Sequence, residues 1–186
     1  MDDIAIGTIP DSLRYRDGRY SPERLSSVPD IFALPPLRLR LGLRFIHAIH
    51  MPWFTVRLPK GCAALYTIGR KSGRPRRIYV KAARVDDKIY LISIAGSGAL
   101  WVKNIRANPN VRIRLPEGTF HGTARELRNR AERQAAYNVL CETVHPFDYF
   151  ENALHRTGRP TREKILELHR AWFAGGLPLV IDVERA

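Results

Sequence analysis

Between residues 67 and 77 the chain reads Thr67-Ile68-Gly69-Arg70-Lys71-Ser72-Gly73-Arg74-Pro75-Arg76-Arg77, which places five cations in eight positions. These residue types suit an anion. Guanidinium forks and a lysine point charge meet phosphate or carboxylate oxygens, and glycines free backbone amides to join them. A solvated basic turn is the competing reading of so short a run. The stretch is not a P-loop, because Arg70 rather than glycine precedes the Lys71-Ser72 pair and no helical pattern follows. A nucleoside triphosphatase is therefore not expected. No Gly-x-Ser-x-Gly, Cys-x-x-Cys or His-Glu-x-x-His is present, which removes the common hydrolase and zinc-enzyme readings. Between residues 60 and 115 the acids are Asp86 and Asp87 alone, so a glycosidase-type carboxylate pair is not expected there. His47 and His50, three apart without a nearby carboxylate, read as structural, and no metal site is expected. If the chain is an enzyme, a bound cofactor carries the chemistry.

The elements that position the basic stretch are strands. The apolar run Cys62 to Ile68 precedes it and the alternating run Ile78 to Val85 follows, with Gly69, Gly73 and Pro75 supplying the turn. Asp86-Asp87 makes a tight turn into a strand from Lys88 to Ala95, which Gly96-Ser97-Gly98 ends. A short helix from Ala99 carries Leu100, Trp101 and Ile105 on one face and stops at Asn108-Pro109. Val111, Ile113 and Leu115 alternate with Arg112 and Arg114, and Pro116-Glu117-Gly118 turns the chain into a partner strand from Thr119 to Leu127. Asn129 caps a helix through Ala135, Ala136, Val139 and Leu140. Thr161 caps another through Ile165, Leu168 and Trp172 that Gly175-Gly176 stops, and Leu177 to Val183 is a closing strand. About six short, mainly antiparallel strands favour a small closed barrel over a parallel nucleotide-binding sheet.

The chain has 186 residues and 45% apolar content, which suits one globular domain. Residues 1 to 33, with Pro10, Gly18, Pro22 and Pro29 among scattered arginines, suit an extended arm. Residues 35 to 51 fit both a strand and a helix, and a helix is the reading taken; its arginines could touch an anionic membrane. The formal charge of +13 favours nucleic acid, an anionic membrane or a polyanionic small ligand. Aromatic residues are sparse among the cations, which ranks nucleic acid last. Cys62 and Cys141 read as buried free thiols of a reducing compartment. The acidic start Met1-Asp2-Asp3 and the lack of any apolar run of membrane-spanning length give the expectation of a cytoplasmic protein.

Two motifs in order, Thr67 to Arg76 and then Trp101-Val102-Lys103-Asn104-Ile105-Arg106-Ala107-Asn108-Pro109-Asn110-Val111-Arg112-Ile113-Arg114, resemble the deazaflavin-dependent nitroreductase family. The resemblance covers about residues 62 to 127 and extends to the strand Leu177 to Val183. It implies an α+β fold, a mainly antiparallel split β-barrel with covering helices. In that reading residues 1–34 are an N-terminal arm and 35–186 a single deazaflavin-binding domain. It further implies coenzyme F-420, a deazaflavin with a phosphate and a glutamate-rich tail, and hydride transfer from its reduced form to a quinone, nitro compound or other activated acceptor.

Carried over by position, the resemblance puts Arg70, Lys71 and Ser72 at the cofactor's phosphate side with Arg76 and Arg77 just beyond. It puts Ile78, Ile92, Ser93, Ile94 and Ala95 beside the ring, and Leu100, Trp101 and Asn104 at the helix start that closes over it. His145-Pro146-Phe147-Asp148-Tyr149 matches a loop bordering the acceptor pocket, with Phe147 and Tyr149 as acceptor contacts and Tyr149 or His145 as proton donor. The chain departs from the family pattern at Ile78-Tyr79, where Asn-Pro is common, and at Ile94 and Ala95, where serine and lysine are common. The glycine loop that follows is about two residues shorter. These changes make the ring pocket more apolar and keep open an alternative: a non-catalytic barrel binding a fatty acid or other lipid, FMN or haem. The partners expected are a small-molecule acceptor, a peripheral membrane surface and a second copy in a homodimer, with no specific nucleic acid.

Overall fold

In the computed structural model, which describes residues 4–20, 54, 56–156 and 158–184, the alternating runs pair into one closed sheet. A small hairpin, β1 (Tyr15–Arg16) and β2 (Arg19–Tyr20), comes first. Six strands then close as an antiparallel barrel: β3 (Cys62–Ile68), β4 (Pro75–Val85), β5 (Lys88–Ser93), β6 (Asn110–Leu115), β7 (Gly118–Glu126) and β8 (Leu177–Val183). Their order is β3-β4-β5-β8-β7-β6, and the ring shuts where Leu65 of β3 faces Ile113 of β6. Closure leaves no open edge to aggregate. This is the mainly antiparallel barrel with covering helices that the sequence led us to expect.

Alternate residues of the strands fill the barrel, Leu65, Ile89, Leu91, Ile113, Leu179 and Ile181 among them, all fully buried. Each such side chain stabilises the fold by about 1.5–3 kcal/mol relative to exposure. Helix α1 (Leu100–Ala107) adds Trp101, Val102 and Ile105 to that core. Leu100 does not join them. It is 71% exposed, because one residue along a helix is a rotation of about 100° and carries it off the buried stripe. Helices α2 (Arg130–Cys141), α3 (Pro146–His155) and α4 (Arg162–Gly175) lie on the outer face. There Tyr90, Ile92 and Val180 pack against Tyr137, Leu140, Leu168, Trp172 and Phe173. Ile4, Leu13 and Tyr15 are buried in the same layer, so residues 4–20 lie on the barrel's outer packing.

Three boundaries differ from the sequence reading. Strand β4 begins at Pro75 rather than Ile78, since proline is tolerated at the first strand position, where Pro75 pairs with Ile68. Strand β5 stops at Ser93 rather than Ala95, because Gly96 takes a left-handed φ of 58° and the Ser93 hydroxyl donates to its carbonyl at 2.8 Å. Residues 146–155 form a helix, not a loop. The expected caps do form: Asn129 accepts from the Glu132 amide at 2.9 Å and Thr161 from the Lys164 amide at 3.3 Å. Both cysteines are free thiols, Cys141 buried and Cys62 partly so. No helix among the described residues is long and apolar enough to cross a membrane. The helix expected over residues 35–51, with His47, His50 and most of the proposed membrane-touching segment, lies outside the described residues.

A charged network ties the sheet to α2. The Arg125 guanidinium reaches Glu132 at 2.7 Å and Asp182 at 2.6 Å, and Lys88 donates to Asp182 at 2.8 Å. The Arg125 contact holds the Glu132 carboxyl down at about 2, below its ordinary 4.5. That stabilisation is present above pH 4.5 and is lost as pH falls through 2. Arg125→Ala leaves the enclosed Glu132 carboxylate with Lys88 alone, 3.7 Å away, while Asp182 keeps its Lys88 bond, and is expected to cost about 1–3 kcal/mol in urea unfolding at pH 7. The difference from wild type should shrink as pH falls from 4.5 toward 2.

Candidate functional site

The turn joining β3 to β4 is held shut by its own backbone. The Gly69 amide donates to the Arg74 carbonyl at 2.9 Å, and the Ser72 and Gly73 amides donate to the Gly69 carbonyl at 3.1 and 2.8 Å. The Arg74 amide donates to the Ser72 hydroxyl at 3.4 Å. A Cβ at Gly69 would come within 2.7 Å of that hydroxyl oxygen, so a side chain there would have to displace the Ser72 hydroxyl from its bond to Arg74. Helix α1 fixes the turn from outside: the Arg70 amide donates to Asn104 Oδ1 at 3.1 Å, and Asn104 Nδ2 donates to Thr67 Oγ1 at 3.2 Å. These bonds consume the amides that the glycines were expected to free, so side chains present the turn's positive charge.

Those side chains border a groove of about 790 Å³. The turn and the start of β4 supply Arg70, Lys71, Ser72, Arg76 and Arg77, while Ile78, Ala95, Leu100 and Trp101 make the apolar part of the lining. Among the described residues the four cations have no carboxylate partner, and Arg77 lies over the Tyr79 ring at 5.6 Å. Cations without carboxylate partners beside an apolar lining fit a flat ring with an anionic tail. Asn104 also lines the groove, though its amide is engaged in bracing the turn.

A second cavity of about 340 Å³ meets the groove, sharing Ile78, Ala95 and Trp101 with it. It lies on the outer face of the barrel. Cys62, Lys81 and Ile92 stand in one row across β3, β4 and β5, and Ile94 continues the wall. Phe54, Tyr79 and Phe147 make an aromatic side, with Phe54 edge-on to both other rings at 5.2 and 5.4 Å. Glu151 completes the lining from α3.

Helix α3 is set by Asp148. One of its oxygens, Oδ2, accepts from the His145 amide at 2.7 Å, capping the helix start; the other, Oδ1, accepts from Lys81 Nζ at 2.8 Å. Both side chains are almost wholly buried, 2% and 6% exposed, so the pair is a closed internal ion pair. Nearby His169 is neutral: burial, then the Lys81 charge, drives its imidazole down to about 3. Burial, helped by the Glu151 charge, pushes the Cys62 thiol up to about 12, which removes it as a nucleophile. Burial also raises the Glu151 carboxyl to about 7; Lys81 opposes this and Asp148 adds to it.

The structure therefore brings together Arg70, Lys71, Ser72, Arg76, Arg77, Ile78, Ala95, Leu100, Trp101 and Asn104 at the groove, and Ile92, Ile94 and Phe147 at the adjoining cavity. Ser93 is buried and spends its hydroxyl on Gly96. Tyr149 is 42% exposed and does not line the cavity that Phe147 and Glu151 line, since residues two apart face opposite sides of a helix. His145 borders a different cavity with Lys60, Gly61 and Val139, and burial lowers its imidazole below the ordinary value. The sequence reading missed Lys81, Asp148, Glu151 and the aromatic partners Phe54 and Tyr79. Pro146 followed by Asp148, a proline and an acid in a first helical turn, was the available signal.

The profile of the family described as F420H(2)-dependent quinone reductase matches residues 54–161, more than half of the chain. The chain belongs to that family. Its match contains every residue that lines the two cavities. Among solved structures the chain is similar to one titled as an F420-H2 dependent reductase (FDR-A), with 22% identity over 69% of this chain and 97% of that one and a TM-score of 0.44. It is also similar to one described as a domain-swapped dimer, at 22% identity, 68% and 82% coverage and a TM-score of 0.44. A FAD-binding protein from Mesorhizobium loti is a third, at 20% identity, 68% and 83% coverage and a TM-score of 0.41. No curated protein matches the chain. The family's cofactor is F-420.

Glu151 offers a direct check on the site's electrostatics. Its carboxyl is raised from 4.5 to about 7, so its favourable contribution is complete below pH 4.5 and is lost as pH rises through 7. Wild type is expected to lose on the order of 3 kcal/mol relative to Glu151→Gln between those limits. Urea unfolding of both proteins at pH 4.5 and 7.5 measures it.

Proposed function

We propose that this chain is an F-420-dependent reductase whose groove holds the deazaflavin and whose adjoining cavity receives a quinone. The observation that carries the reading is the meeting of the two spaces at Ile78, Ala95 and Trp101, with cations that have no carboxylate partner lining the groove. Reduced F-420, when bound, supplies a hydride. The protein's share is positioning, which can account for several kcal/mol of a barrier. Arg70, Lys71, Arg76 and Arg77 take the anionic end through charge-assisted hydrogen bonds, and Asn104 keeps the turn at its height above α1. Leu100 and Trp101 cover the ring slot, and the apolar wall excludes water from it. Phe54, Tyr79 and Phe147 give a planar acceptor an aromatic surface to stack on. A cavity of 340 Å³ lies within the range of about 300–1,000 Å³ usual for small-ligand sites.

Titration of the full chain with F-420, followed by fluorescence or calorimetry, is expected to give binding at or below micromolar concentrations; no binding there would overturn the reading. Replacing Arg70 and Lys71 together by alanine should weaken binding roughly 10–100-fold at low salt. The deficit should narrow in high salt, because these contacts are exposed to screening. Unchanged affinity in the double variant would remove the turn from the site.

A further inference from the structure

Reduction of a quinone to a hydroquinone takes one hydride and one proton, and the functional reading above leaves the source of the proton open. Tyr149 is turned away from the acceptor cavity. Glu151 faces it, on the same side of α3 as Phe147 one turn earlier. Among the described residues no hydrogen bond or ion pair holds the Glu151 carboxyl. What surrounds it is a set of groups fixed by other bonds. Lys81 from β4 is committed to Asp148 at 2.8 Å. Asp148 also caps α3 through its second oxygen. One ligand-type atom each of Asp148, Glu151 and His169 lies within 4.8 Å of the others, an arrangement that resembles a cation site, but the Lys81 ammonium already stands on Asp148 as the cation. The built features are therefore a free carboxyl, an ammonium that another carboxylate already neutralises, and an aromatic cavity open to both.

We propose that Glu151 is the catalytic acid of this reductase and that the acceptor is a quinone bound between Phe54, Tyr79 and Phe147 with a carbonyl oxygen against the Glu151 carboxyl. This rests on the proposed function of the two cavities. The Glu151 O–H bond breaks and an O–H bond forms on the quinone oxygen. The quinone also takes up the hydride, two electrons and a proton, from reduced F-420, so it leaves as the neutral hydroquinone while the cofactor is oxidised. Glu151 remains as carboxylate, beside the Lys81 ammonium that steadies the new charge, and recovers its proton from water.

The ionisation state agrees with this role. Burial holds the carboxyl at about 7, so it carries a proton over the lower part of the neutral range. The titratable and charged groups around this cavity are Cys62 from β3, Tyr79 and Lys81 from β4, Asp148 from its own helix and His169 from α4, with His145 at the helix start. Cys62 stays a thiol up to about 12, His169 stays neutral down to about 3, and His145 titrates below its ordinary value, on the acid side. Of the shifts just given, that of Glu151 falls nearest pH 7, and Glu151→Gln separates a limb due to this carboxyl from one due to cofactor or acceptor.

The test uses the full chain loaded with reduced F-420 and mixed with menadione in single turnovers from pH 5 to 9. Wild type is expected to slow above about pH 7, and Glu151→Gln to be slower roughly 100-fold at pH 6 with that limb gone. Glu151→Asp should restore part of the rate and the limb. Infrared spectra of the cofactor-free wild type should show a protonated carboxyl band that disappears around pH 7 and is absent in Glu151→Gln, a readout independent of turnover. Failure of wild type to bind F-420 would sink the functional reading instead. If F-420 binds both proteins equally, an undiminished rate in Glu151→Gln, or a slowed rate that keeps the wild-type pH limb, overturns the role of Glu151. Should that variant fail to fold, the absence of a titrating carboxyl band in wild type overturns it alone.

Discussion

The Lys81–Asp148 ion pair is the contact on which the site's architecture depends. It is the bond that pins a late helix to an early strand, and both ends are almost wholly buried. Two charges so placed cost several kcal/mol each in lost hydration, which their attraction and their other hydrogen bonds must offset. Asp148 meets that requirement by dividing its oxygens between the ammonium and the start of α3. The rotation of α3 follows. With Asp148 facing the barrel, Phe147 and Glu151 flank the outer face of β4 and Tyr149 must face solvent. Removing either partner would leave a buried charge unmatched, so the pair is worth more as a constraint on where α3 sits than as a source of net stability.

The groove depends on a different constraint, the closed turn. Its amides are spent internally and on Asn104, so its shape does not depend on a ligand. A rigid loop presenting long cationic side chains pre-organises the backbone while leaving the guanidinium groups to adapt, which lowers the ordering cost of binding a flexible polyanionic tail. The chain's excess of positive charge acts in the same direction by raising the encounter rate with such a ligand.

Much of this was legible in the sequence, and particular residues show why. Val111, Ile113 and Leu115 alternate with arginines because one face of β6 is buried, and Leu177–Val183 is an apolar run that a double glycine sets off, so both strands declare themselves. The cationic turn was visible because its glycines and proline punctuate it. Helix α3 was not, although Pro146 and Asp148 mark its start, because its aromatic cluster matched the loop of a resembling family. Lys81 offered even less: a single lysine in a strand ordinarily faces water, and it is buried here only because a helix some sixty residues later docks over it. Glu151 has little local signal, since Lys81, Cys62, Tyr79 and His169, which help to shape its environment, come from other elements.

The apolar departures at Ile78, Ile94 and Ala95 acquire a meaning from where they lie. Ile78 and Ala95 stand where groove and cavity join, and Ile94 lines the cavity beside them. A serine or lysine there would bring water or a further charge to the boundary between the proposed ring groove and the proposed acceptor cavity. Hydrocarbon instead keeps that boundary at low dielectric, which lengthens the reach of the charges that remain. Under those conditions an ammonium already paired with a carboxylate disturbs its surroundings least, and an uncommitted carboxyl is driven toward its neutral form. The same substitutions that remove polar contacts to a ring thus favour a protonated acid on the far side of the cavity.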